Sequence, residues 1–125
     1  MVKSIISTIL ATVLLVSLSF IEQTVINNTF FELKENLSVV YAKTENQTAI
    51  KDDILAYQKF WIKKKEYLHV FIPHNEIKEM DLWIGESCTL IENKKYEDAL
   101  SKLDVVMELI EQIPKTCALR VENVL

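Results

Sequence analysis

The chain has 125 residues, half of them hydrophobic, and a net charge of −4. That apolar content excludes an intrinsically disordered chain, and the acidic balance argues against phosphate backbones, so no nucleic-acid partner is expected. One glycine and two prolines are too few for a turn-rich β fold and point to long helices with short connections.

Ile5 to Ile21 carries no charged side chain and is bracketed by Lys3 and Glu22. As a helix it spans roughly 26 Å, close to the ~30 Å hydrocarbon core of a bilayer. Lys3 and the α-amine sit on its short side, and the next basic residue is Lys34. The positive-inside rule then puts the N-terminus in the cytoplasm and the rest of a single-pass protein outside the cell membrane. Residues 1–22 are read as an N-terminal membrane anchor and residues 23–125 as an extracytoplasmic α-helical domain. The rival is a cleaved signal, since Ser17-Leu18-Ser19 offers a small-x-small site after Ser19. The apolar stretch continues through Phe20 and Ile21, so an uncleaved anchor is preferred.

Ile26, Phe30, Leu33, Leu37 and Val40 form an apolar stripe on a helix from about Thr24 to Lys43, continuous with the anchor if nothing breaks it. Thr44 to Gln47 reads as a capping box with Thr44 as N-cap. A second stripe of Ile50, Ile54, Tyr57, Trp61 and Leu68 runs up to Ile72-Pro73, where proline forces a break. His74 and Glu76 then serve as a capping residue and a first-turn acid for a third helix with Ile77, Met80, Ile84, Ser87 and Ile91 inward. After a turn at Asn93-Lys94-Lys95, a fourth helix carries Tyr96, Ala99, Leu103, Val106, Ile110 and Ile113 and is expected to end at Pro114, with one short helix beyond. The fold class is therefore all-α: an N-terminal transmembrane helix followed by two antiparallel helical hairpins in a four-helix, bundle-like domain.

Glu45-Asn46 and Glu92-Asn93 each precede a long amphipathic helix that runs to Ile-Pro, a weak internal repeat. Trp83, Leu90, Tyr96, Ala99 and Leu100 fall near the tetratricopeptide consensus, but Ser87 stands where glycine is expected, and convergent hairpin packing is the reading adopted. The runs Phe71-Ile72-Pro73-His74-Asn75-Glu76-Ile77, Tyr96-Glu97-Asp98-Ala99-Leu100, Ile110-Glu111-Gln112-Ile113-Pro114 and Val121-Glu122-Asn123-Val124-Leu125 follow the anchor in this order. Together they resemble a family of short, N-terminally membrane-anchored helical proteins of unknown function from Firmicutes, mainly clostridia. That resemblance implies a bacterial envelope protein, and it brings no activity, cofactor or partner with it.

Candidate chemistry is sparse. His69 and His74 are the only histidines, five residues apart across Pro73, whereas chelation from one helix face wants spacings of three or four. No metal site, cofactor site or catalytic residue is assigned, and the chain is not expected to be an enzyme. Lys63-Lys64-Lys65 point about 100° apart on a helix, so they read as a solvated face with Lys64 lying over the apolar stripe. Cys88 and Cys117 lie roughly 25 Å apart along the second hairpin and are not expected to pair. Gly85, inside the third helix, either lets a neighbour approach or is simply tolerated. The functional expectation is a membrane-tethered module contacting another envelope protein. The alternative is a secreted helical protein binding a small apolar ligand between its hairpins.

Overall fold

The computed structural model describes residues 1–124, which form four helices: α1 (Val2–Glu45), α2 (Lys51–Leu68), α3 (His74–Glu92) and α4 (Tyr96–Val124). Leu125, the last residue of the closing run, lies outside the described residues. The apolar segment and the first amphipathic stripe are one unbroken helix, because no residue between them removes a backbone donor or demands a turn. Among the described residues α1 is the helix long and apolar enough to cross a membrane, and the apolar window is 0% buried by the rest of the chain. The bundle begins where the stripe begins: Ile26, Phe30, Leu33, Leu37 and Val40 are all buried, as their spacing predicts.

The two turns at the far end of the bundle have the same construction. After α1, Thr48 N–H donates to Lys43 O at 2.8 Å and Gln47 N–H to Thr44 O at 3.1 Å. After α3, Lys95 N–H donates to Leu90 O at 2.8 Å and Lys94 N–H to Ile91 O at 3.0 Å. These are Schellman ends, with Gln47 (φ 57°) and Lys94 (φ 58°) in the left-handed position usually given to glycine. The repeated Glu-Asn pair is thus the last helical residue and C-cap of two like helix ends. Tyr96 Oη donating to Ala49 O at 3.1 Å and Lys51 pairing with Glu92 at 3.0 Å tie the two turns together.

Three local expectations are corrected. Thr44 is not an N-cap: it is buried in the last turn of α1, its hydroxyl donating to Val40 O at 2.7 Å. The cap of α2 falls at Ile50, which is therefore exposed rather than part of the stripe, and Asp53 reaches back to accept the Ile50 N–H at 2.9 Å. His74 is not the cap of α3 either, since Pro73 holds that place (φ −56°, ψ 142°) and His74 is the first helical residue. The fixed φ of proline suits a helix start. Third, α4 does not stop at Pro114 but runs through it to Val124. Proline inside a helix costs about 3 kcal/mol, yet the stripe Leu103, Val106, Ile110, Ile113 continues at the same spacing to Cys117, and all five are buried. Burying an aliphatic side chain such as Ile113 is worth about 1.5–3 kcal/mol, so keeping Ile113 and Cys117 in the core offsets the proline.

The helices close into a ring. α4 packs most extensively, against α3 on one side and α1 on the other, while α1–α2 and α2–α3 contacts are lighter. The α4–α1 contact makes this a closed bundle rather than an open stack of hairpins. Trp61, Leu37, Met80, Ile84, Leu103 and Val106 belong to a single core. Within it polar groups are paired: Trp61 Nε1 donates to Asp81 at 2.7 Å, and Ser87 Oγ donates to Trp83 O at 2.8 Å. Thr29 and Tyr67 share a hydroxyl–hydroxyl hydrogen bond of 2.8 Å. Cys88 and Cys117 are free thiols, half-buried and buried, and burial pushes both pKa values up. Ile26 is fully buried and Gln23 Nε2 donates to Pro114 O at 3.3 Å. A truncation that preserves the bundle must therefore begin before Gln23.

The space around Gly85 resolves its two readings within the monomer, because a Cβ built there meets nothing within 4 Å. Gly85→Ala is expected to stabilise the bundle by about 0.5–1 kcal/mol through helix propensity alone. Denaturant melts of the two proteins check this. A loss of stability would mean that another surface packs against that spot.

Candidate functional site

The stripe of α1 points at α4, which leaves the adjoining face of α1 only loosely covered by α2. There Asn36, Val39, Val40 and Lys43 face Asp52, Asp53, Ala56, Tyr57 and Phe60 across an open cleft of about 390 Å³. On α1 these positions recur at i, i+3, i+4 and i+7, and on α2 at i, i+1, i+4, i+5 and i+8, so each set is one helix face. Val40 and Tyr57, both buried, make the floor; Val39, 58% exposed, forms part of the rim.

An ion pair stands toward each end. Lys43 Nζ bonds Asp53 at 2.9 Å, and Lys64 Nζ pairs with Glu32 at 2.7 Å while lying 5.1 Å from the Phe60 ring centroid. The Ile50 N–H and then Lys43 hold the Asp53 carboxyl below its usual pKa. The hydrogen bond to Glu32 holds Lys64 above its own. Asp53 and Lys64 therefore stay charged at neutral pH. Tyr57 Oη donates to Leu33 O at 3.1 Å, and burial pushes its pKa well above the ordinary tyrosine value, so it remains a neutral donor. The result is an apolar trough with charges of both signs on its rim. Such a trough can take an apolar side chain or one face of a helix.

Sequence reasoning did not single out this trough. The available signal was Val39, Ala56 and Phe60, apolar residues lying off the main stripes of their helices. Lys64, expected to lie over the apolar stripe of α2, lies instead over the ring of Phe60 beside that stripe. His69 and His74 come together, with ring centroids 6.2 Å apart. Among the described residues no group of three or more His, Cys, Asp or Glu side chains could hold a metal ion. Among the described residues, the buried oxygens Gln23 Oε1 and Glu76 Oε2 have no hydrogen-bond partner. Burial raises the pKa of Glu76, with Arg120 acting against the shift.

Fold and trough define a class: a closed antiparallel four-helix bundle that shares its first helix with a long apolar segment. The chain belongs to the family described as domain of unknown function DUF4363, which matches residues 20–124. No curated protein and no solved structure matches it. The family match opens at Phe20, so most of the apolar run precedes it.

Proposed function

We propose that this chain is a membrane-tethered, non-enzymatic helical module of the bacterial cell envelope, whose extracytoplasmic bundle contacts another protein through the α1–α2 trough. The observation that carries the reading is the continuity of α1. One helix supplies both the exposed apolar run Ile5–Ile21 and the buried stripe from Ile26 to Val40. Cleavage after Ser19 would leave Phe20 and Ile21, both exposed, at a new terminus beside the bundle, which favours retention of the anchor. The space between the hairpins is filled by Trp61, Met80, Ile84 and Leu103, whereas an open, largely apolar cleft lies at the α1–α2 edge. This favours a surface contact over an enclosed apolar ligand.

A photo-crosslinking residue at Val39 tests the contact in native membranes, with Leu82 on α3, also exposed, as control. Val39 is expected to give a discrete adduct that Phe60→Asp abolishes, and Leu82 is expected to give none. Equal adducts from both positions, insensitive to Phe60→Asp, would remove the trough from the proposal.

A further inference from the structure

The two ion pairs at the ends of the trough fix the register of its walls. Lys43 pairs with Asp53 and Glu32 with Lys64, so eleven residues separate the two charges on α1 and eleven separate the two on α2. The walls run antiparallel, and Val39, four residues before Lys43, therefore stands level with Tyr57, four after Asp53. Tyr57 is buried in the floor. Val39 on one wall is 58% exposed, and Ala56, at this level on the other, is exposed and short. The height of this level follows from the continuity of α1. Val39 lies eighteen residues past Ile21, about 27 Å along the helix. The headgroup region of a bilayer reaches only about 5–8 Å beyond its hydrocarbon core. Lipid is out of reach, and an occupant of the trough must stand at that height above the membrane.

A second copy does so by construction, because its α1 leaves the same bilayer face at the same residue. It also matches the charges. With both anchors crossing in one direction, two like copies are related by a two-fold axis along the membrane normal. Set on the open side of the trough, that axis lays α1 of each copy over α2 of the other without changing any level. Lys43 then faces Asp52 and Asp53 of the second copy, and Glu32 faces its Lys64, so both ends of the seam join opposite charges. Val39 meets the short Ala56 of the second copy, which leaves it room. We infer that the occupant of the trough is a second copy of this chain, the two troughs closing on each other as a parallel seam built from α1 and α2 of each. This rests on the trough contact proposed above and names its partner. Val39, Ala56 and Phe60 are few beside the roughly 20–30 residues a side of a stable interface. Confinement of both copies to one membrane supplies the effective concentration that so small a contact needs.

The test uses the purified full chain in phosphatidylcholine vesicles, where a second copy is the sole protein partner present. Copies carrying Val39→Cys are mixed with affinity-tagged copies carrying Ala56→Cys and oxidised mildly. Tagged copies carrying Lys63→Cys are the register control, since Lys63 is exposed on the same face of α2 seven residues on, about 10 Å away. A disulfide needs Cα atoms within about 7 Å, so the two mixtures separate a registered seam from random collision. The unsubstituted chain mixed with each tagged copy subtracts the signal of Cys88 and Cys117. Linking of 39 to 56 is expected several-fold above linking of 39 to 63, and the Val39 photo-adduct in native membranes is expected at twice the mass of the chain. If 39 links to 56 no better than to 63, or the native adduct has another mass, the second copy is overturned. A native adduct that Phe60→Asp still abolishes would then leave the trough reading standing with a different protein as its occupant. If that adduct is absent as well, both fall.

Discussion

Replacing Leu37 by aspartate is expected to unfold the bundle while leaving the chain soluble in detergent and partly helical along the apolar run. Leu37 is fully buried at the middle of the α1 stripe, where it belongs to the same core as residues of α4 and α2. The substitution removes a leucine from the core, worth about 1.5–3 kcal/mol, and leaves a carboxylate with no partner in an apolar site. Desolvating that charge adds several kcal/mol more, so the total approaches the roughly 5–15 kcal/mol that holds a domain of this size together. Circular dichroism and thermal melts read the outcome. The four-three spacing of Phe30, Leu33, Leu37 and Val40 would also suit a seam between two molecules. If Leu37→Asp abolished a dimer but left the remaining helices folded and cooperative, the stripe would be intermolecular and the ring of helices wrong.

The second large effect is expected at Trp61, which is 1% exposed and the largest fully buried side chain. Its indole donates to Asp81 at 2.7 Å, and Asp81 is also bonded by Lys65 at 3.1 Å through both carboxylate oxygens. The shape of the pocket and the polar contact can be separated. Trp61→Ala is expected to cost about 3–5 kcal/mol by opening a cavity. Trp61→Phe keeps most of the packing and removes a hydrogen bond to a charged acceptor, a loss of about 1.5–3 kcal/mol. Lys65 remains to neutralise Asp81, which holds the second value toward the lower end. Urea melts of the two variants against the parent measure both numbers. Equal losses would mean that the Asp81 contact, not the volume of the ring, sets the contribution of this residue.

These residues also show what could be read from the chain before its structure. The four inward stripes were legible because a helix buries one face and the apolar residues repeat at its period, and nearly every stripe residue is in the core. The ends of helices were less legible. Thr44 and Gln47 match a capping box by identity, but the box is a geometry. Here the same residues lie in a helix C-terminus whose left-handed position is filled by Gln47 instead of glycine. Pro114 read as a stop because its local cost is clear in sequence, whereas the compensating burial of Ile113 and Cys117 depends on α1 and α3 lying alongside. The trough was hidden for a similar reason. Val39 and Phe60 are ordinary off-stripe residues until the α1–α4 packing turns α1 and leaves the α1–α2 seam open.

The central claim is that α1 remains whole and holds the bundle to a membrane. Alkaline extraction of cell membranes followed by intact-mass measurement of the protein tests it most directly. The expected result is a chain retained in the extracted membrane fraction whose mass includes the residues before Phe20. A soluble or secreted protein whose mass begins at Phe20 would contradict it.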